Sequence, residues 1–321
     1  MVRTSFTLNL TGRDSRTNML IILDLMSEVA HIALDFEIIE HPVKEFSYEE
    51  WVSVIKGRGI NKEVDQRLKQ SILHGIPESI RGGLWEFFTN VRSLSRICSF
   101  EQLSEKQNEL GFPKDVGRTL PKHPLFRNPE GYGQTGLTKI LRAYANFDPQ
   151  VGYCQGMAFI AALLLIYMPS HQSAFWGFVH IMNTLNWREV FLPGTPKLVR
   201  MLDSFSRQLE SHMLDLYLHF QAQGLHISVF AQYFLTVFAY KTPPELVVRV
   251  MDLFLLEGEQ VLFNILIKML QLKRHKLLCM DFEQIHAYIL CSLAEECLKE
   301  YHITTLYSVN SLHCEEEYTI L

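Results

Sequence analysis

The sequence lacks an excess of positive charge, a paired cysteine spacing and an apolar run long enough to cross a bilayer. Its 30 Lys and Arg residues are outnumbered by 35 Asp and Glu, so no global basic field exists to bind nucleic acid. The six cysteines fall at no disulfide or zinc spacing, which favours reduced thiols in the cytoplasm and predicts no metal site. The longest apolar stretch, Met157 to Met168, is too short for a transmembrane segment and is typical of a core helix.

Motifs for binding a nucleotide or for covalent catalysis are also missing. No Gly-x-x-x-x-Gly-Lys-Ser/Thr loop is present, so the chain is not expected to bind GTP alone, and no serine has a nucleophile-elbow context. The segment Gly131 to Gly136 has the glycine spacing of a dinucleotide fingerprint. The residues before it indicate a loop, whereas that fingerprint requires a preceding strand. We therefore expect no cofactor of the protein's own.

Apolar residues at helical spacing recur along most of the chain. Hydrophobic residues make up 48% of the sequence, which is enough for a substantial core, and no segment alternates with period two between turn signals. The fold is therefore predicted to be all-α. Helices are predicted from Pro77 onward, over Leu137 to Tyr144, from near Tyr153, and over Ser173 to Leu185, Pro196 to Ala222, Ser228 to Tyr240, Pro243 to Leu256, Gln260 to Leu272 and Phe282 to Tyr301.

The same patterns predict one large multi-helix domain with an extension at each end. Residues 1–60 are interpreted as an N-terminal extension, partly helical, with its apolar segment from Met19 to Phe36. Residues 61–301 form the predicted domain and residues 302–321 a C-terminal tail. Residues 111–136 are rich in Gly and Pro but contain aromatic anchors, which favours an ordered functional loop.

Two short segments carry side chains suited to phosphoryl-transfer chemistry. Arg118 offers a planar fork of donors that stays charged, and Gln155 offers a neutral amide that can both donate and accept hydrogen bonds. An accessory protein could lend these two groups to a GTPase that hydrolyses GTP slowly by itself. Taken alone, Arg118 is more typical of a surface residue paired with Asp115, and Gln155 of a polar residue that caps the entrance of a core helix.

Three further residues are predicted to have supporting roles. Asp115 precedes Arg118 by three positions and could restrain the guanidinium. Tyr153 is expected to order the glutamine segment by packing, and Arg81 is expected to pair with an acidic neighbour.

A series of spaced landmarks runs from about Gly75 to about Lys276. They are Gly75, Ile76, Pro77, Arg81, Trp85, Asp115, Arg118, Thr119, Pro121, His123, Pro124, Phe126, Gly152 to Met157, Phe234 to Phe238, Arg249, Asp252, Phe254, Leu256, Glu257 and Gly258. In order and identity these residues resemble the TBC-domain family, whose members are mostly GTPase-activating proteins for Rab GTPases. Departures from the family pattern are Phe112 in place of an aliphatic residue, Gly117 before the arginine, and Ala158 after the glutamine segment.

The resemblance implies an all-α domain that docks on a Rab-family small GTPase and supplies Arg118 and Gln155 in trans. GTP and Mg²⁺ would be carried by that partner, and the chain would accelerate its partner's reaction without being a stand-alone enzyme. Contact with membranes would likewise occur through the partner, from a cytoplasmic location. A non-catalytic scaffold on the same fold and an unrelated helical array are the alternatives. A scaffold has no need of either side chain, so the presence of both favours the activator.

Overall fold

The computed structural model describes residues 46–57, 62–106 and 113–307, which form helices joined by turns. No β-strand occurs in these three ranges, and the all-α prediction is confirmed. In chain order the α-helices are α1 Tyr48–Ile55, α2 Lys62–His74, α3 Glu78–Phe88, α4 Val91–Leu94, α5 Phe100–Glu105, α6 Pro113–Arg118, α7 Tyr132–Phe147, α8 Met157–Tyr167, α9 His171–Asn183, α10 Arg188–Phe191, α11 Pro196–His212, α12 Leu214–Ala222, α13 Ala231–Leu235, α14 Pro244–Glu257, α15 Gln260–Leu272, α16 Arg274–Leu278, α17 Phe282–Cys291 and α18 Leu293–Glu300. Short 3₁₀-helices cover Pro124–Phe126, Ile227–Phe230 and Ile303–Leu306.

Helix α8 is apolar around its whole circumference and is buried along most of its length. It packs against α7 and α9, so neighbouring helices cover the apolar surface that a solvated helix would expose. The prediction that Met157 to Met168 forms a core helix is confirmed. Within the described residues, no helix is both long and apolar enough to cross a membrane.

The hydrophobic core includes residues from both ends of the described chain. Trp51 and Val54 of α1 are buried and belong to the same cluster as Leu306 and Tyr307 near the other end. Full burial of an aliphatic side chain such as Val54 or Leu306 stabilises the fold by about 1.5–3 kcal/mol relative to the exposed side chain. The predicted apolar segment from Met19 to Phe36 lies outside the described residues, and the predicted domain limits stay predictions.

Several helices end although the apolar pattern that predicted them continues along the sequence. The predicted helix over Gln260 to Leu272 is confirmed, but that over Pro196 to Ala222 is interrupted at Met213, whose backbone is not helical (φ −145°, ψ 65°). Because the Met213 side chain is still buried, the apolar pattern continues across the break. Likewise, α13 ends early because Val237 and Phe238 have positive φ while their side chains remain in the core.

The glycines that imitate a dinucleotide fingerprint are close-packing sites. A Cβ atom at Gly133 would lie 2.2 Å from the carbonyl oxygen of Leu125, and one at Gly136 would lie 2.4 Å from the His171 ring. Helix α7, which these glycines begin, therefore approaches its neighbours more closely than any side chain would allow.

Gly133→Ala is accordingly expected to destabilise the protein by about 1–3 kcal/mol, because the new methyl group meets backbone that cannot move aside cheaply. Urea denaturation would measure the loss in the free energy of unfolding, and the m-value should not change. Gly117→Ala is the matched control, since a Cβ there meets nothing within 4 Å. Equal stability of the two variants would contradict the steric explanation.

Candidate functional site

Arg118 is the last residue of a short helix inside the predicted loop over residues 111–136. Pro113 occupies the first position of α6, where its fixed φ and missing N–H are tolerated, and Val116 anchors the helix in the core. Phe112, the first of the departures from the family pattern, lies outside the described residues. A cation at the carboxyl end of a helix interacts favourably with the free carbonyl groups there. The Arg118 side chain is 56% exposed, so solvent and a docking partner can reach it.

Asp115 joins the two segments that the sequence analysis singled out. Its Oδ1 atom lies 2.5 Å from Nη2 of Arg118, and its Oδ2 atom accepts a hydrogen bond from the Tyr153 hydroxyl. The backbone carbonyl of Asp115 also accepts a hydrogen bond from the buried Thr119 hydroxyl at 2.6 Å. One carboxylate therefore holds both the arginine and the segment that carries Gln155.

Tyr153 remains a hydrogen-bond donor under all physiological conditions. Burial, and then the hydrogen bond to Asp115, raise the pKa of the Tyr153 hydroxyl far above its usual range. The neighbouring Cys154 is partly buried, and burial also raises the pKa of its thiol. The tyrosine thus orders this segment through a specific bond as well as through packing, and the cysteine is not an activated nucleophile.

Gln155 lies in an exposed turn directly before α8. A helix starting near Tyr153 would hold Gln155 in its first turn, but this prediction was wrong because α8 begins at Met157. Gly156 has φ +108°, a conformation that is not helical and that residues with a side chain rarely adopt. The amide of Gln155 consequently projects from a turn at the amino-terminal end of α8.

A second ion pair, which sequence reasoning missed, holds the same loop. Arg188, at the start of α10, donates from Nε to Oδ2 of Asp148 at 2.5 Å and from Nη2 to Oδ1 at 3.1 Å. Its Nη2 atom also donates to Oε1 of Gln150 at 2.7 Å. No local signal in the sequence connects Asp148, which follows the end of α7, with a residue 40 positions later.

Arg81 lies in the core. Its side chain is 8% exposed, its Nε atom is 3.2 Å from Oδ1 of Asp252, and its Nη2 atom donates to the Ile76 carbonyl at 2.8 Å. Trp85 and Arg249 donate to the same carboxylate. A guanidinium with these partners is not available to a nucleotide bound at the surface.

His123 contributes to the local fold of the segment that follows Arg118. Its Nδ1 atom accepts a hydrogen bond from the Leu125 backbone N–H at 3.3 Å, which caps the 3₁₀-helix that contains the buried Phe126. Burial, and then the positive charge of Arg127, lower the pKa of His123, so the ring is neutral at physiological pH. Within the described residues, no group of His, Cys, Asp and Glu side chains is arranged to hold a metal ion.

Comparison with known protein families places this site in a recognised domain. The sequence model of the Rab-GTPase-TBC domain family matches residues 78–278. This range runs from the start of α3 to the end of α16 and includes both candidate segments. The chain belongs to the Rab-GTPase-TBC domain family. The resemblance that the motifs indicated is thereby confirmed.

Individual relatives of this TBC domain agree with the assignment. The human "Ecotropic viral integration site 5 protein homolog" is 31% identical over 245 residues, which cover 75% of this chain and 30% of that protein. The Caenorhabditis elegans "Rab GTPase-activating protein tbc-11" is 33% identical over 266 residues, covering 78% and 28%. The chain thus spans less than a third of the length of these two relatives. The crystal structure of the Chlamydomonas flagellar RabGAP TBC domain has a TM-score of 0.66 at 19% identity, covers 93% of this chain and 97% of its own, and shows the shared fold.

Proposed function

We propose that this TBC domain is a GTPase-activating protein for a Rab-type small GTPase, with Arg118 as its arginine finger and Gln155 as its glutamine finger. The observation that carries the proposal is the Asp115 carboxylate, which binds Arg118 and Tyr153 simultaneously. Because Tyr153 is two residues from Gln155, the two reacting side chains arise from segments joined at one point, and both are exposed. The description of the Caenorhabditis elegans relative as a Rab GTPase-activating protein supports the class of partner.

Arg118 would act on the charge that develops during phosphoryl transfer. An arginine finger supplied in trans accelerates GTP hydrolysis by about three to five orders of magnitude, or roughly 4–7 kcal/mol. An ion pair at the surface contributes about 1 kcal/mol or less, and the Arg118 side of this pair is 56% exposed. The guanidinium can therefore leave Asp115 for a phosphate oxygen at small cost, after Asp115 has kept it near its working position.

Gln155 would orient the attacking water. Its carboxamide can accept a hydrogen bond from water and donate one to a phosphate oxygen, a combination that a carboxylate or an ammonium cannot offer. The turn at the amino-terminal end of α8 also places it where the helix dipole favours a nearby phosphate. In this proposal the partner carries GTP and Mg²⁺, and it also provides the contact with membranes.

The decisive experiment measures single-turnover phosphate release from a panel of GTP-loaded Rab proteins with and without the TBC domain. At least one Rab should respond, and Gln155→Ala should lower the saturating rate by about a hundredfold or more, as for other preorganised hydrogen-bond donors. Gln155→Glu should fail similarly, since a carboxylate cannot donate. Gln221→Ala, which removes an exposed glutamine on α12, is the matched control and should leave the rate unchanged.

Two outcomes would overturn this proposal. Binding of Rab proteins to the domain with acceleration of none of them would identify the non-catalytic scaffold instead. A Gln155→Ala variant as active as the wild type would remove the glutamine from the mechanism even if a Rab responds.

A further inference from the structure

The loop that carries Gln155 rests on α10 at two separate places. At one end of the loop, Arg188 forms hydrogen bonds to Asp148 and Gln150. At the other end, the Phe191 ring lies 3.5 Å from the position that a Cβ atom on Gly156 would occupy. Gln155 therefore lies between two contacts with one short helix.

Helix α10 is itself held firmly by the core. Trp187, which precedes it, and Val190 within it are both fully buried, and the Trp187 ring lies 4.9 Å from the Phe254 ring of α14. The Arg188 side chain extends from this buried base to the surface, where it is 27% exposed. The base of the loop thus has a fixed reference point in the folded protein, as a precisely placed functional side chain requires.

The ion pair is well suited to fixing a backbone position. Arg188 contacts both carboxylate oxygens of Asp148, and this two-point geometry restricts orientation as well as distance. Tyr144 of α7 donates a further hydrogen bond to Oδ2 of Asp148 at 3.2 Å. Although burial raises the pKa of Asp148, the hydrogen bonds and charge of Arg188 outweigh it and lower the pKa, so the carboxylate stays ionised.

We propose that Arg188 is a positioning residue that sets the place of Gln155 by binding Asp148 and Gln150 across the loop. This inference rests on the proposed function, because it assigns Arg188 a part in the same reaction without contact with the nucleotide. Tyr153 and Asp115 hold the loop from the side of Arg118, and Arg188 holds it from the side of α10. Gln155 is thereby restrained by two elements that are far apart in sequence.

Activated GTP hydrolysis in a responsive Rab provides the first test. Arg188→Ala is expected to lower the saturating rate by about 10- to 100-fold, the cost of a misplaced reacting group, with little change in the half-saturating concentration. Arg188→Lys should recover part of this loss, because an ammonium can make some of the contacts. Gln150→Ala removes one contact and leaves the ion pair intact, and a loss of about two- to tenfold is expected.

A double-mutant cycle separates positioning from general damage to the fold. If Arg188 acts through Gln155, adding Arg188→Ala to Gln155→Ala should change the rate by less than about twofold. Arg274→Ala is the matched control, because Arg274 also bonds to one aspartate, Asp215, through Nε and Nη2 at 2.8 and 2.7 Å. Its rate should equal that of the wild type.

Amide hydrogen exchange provides a readout that needs no Rab. Amides of residues 150–156 should exchange at least about tenfold faster in Arg188→Ala than in the wild type or in Arg274→Ala, whereas those of α14 should keep their protection. Unchanged protection of the loop, or multiplicative losses in the double-mutant cycle, would overturn the positioning role and leave the proposed function standing. A wild-type protein that accelerates no Rab would overturn both.

Discussion

Arg118→Ala is expected to slow activated GTP hydrolysis by about a thousandfold or more, the minimum contribution of an arginine finger. The fold should not change, because the side chain is 56% exposed and its ion pair with Asp115 is at the surface. After the substitution, Asp115 still accepts the Tyr153 hydroxyl and keeps the two segments joined. The measurement is the saturating single-turnover rate with a responsive Rab, together with the thermal midpoint of each variant.

Arg118→Lys separates charge from shape in the same assay. An ammonium keeps the positive charge but lacks the planar fork of donors, so the variant should lose most of the activity. Arg200→Ala is the matched control, since Arg200 is a similarly exposed arginine (62%) in an ion pair with Glu189. An Arg118→Lys variant as fast as the wild type would show that charge alone suffices and would contradict the proposed finger.

Asp252→Asn is expected to have the largest effect on stability, with a loss of about 3–5 kcal/mol in the free energy of unfolding. The carboxylate is fully buried between the side chains of Arg81 and Arg249, each 8% exposed. It also accepts a hydrogen bond from Nε1 of Trp85 at 2.7 Å. An amide of the same shape would leave two buried guanidinium groups without a counter-charge.

Urea denaturation measures this loss, with the m-value as a check that the same surface is exposed on unfolding. Asp203→Asn, an exposed aspartate on α11, should change stability by less than about 0.5 kcal/mol. A loss below about 1 kcal/mol for Asp252→Asn would mean that the buried network contributes no more than a surface pair.

The family and its two candidate segments could be predicted from the sequence. Arg118 and Gln155 were selected because their side chains suit phosphoryl transfer and because they lie within the order of landmarks that identified the family, and their catalytic roles stay predictions. The start of α8 was placed too early, because the apolar pattern cannot show that Gly156 has a positive φ. The break at Met213 was missed for a related reason, since a buried side chain continues the pattern through a non-helical backbone.

Sequence by itself determined that the chain is helical, which surfaces are apolar and to which family the chain belongs. Only the tertiary structure decided which partners those side chains have: Asp252 for Arg81, Tyr153 for Asp115, and Arg188 for Asp148. Periodicity reports whether a residue faces the core, because burial of apolar area follows the helical repeat. It carries no information on which distant charge or donor lies opposite, because the packing of the helices against one another creates those pairs.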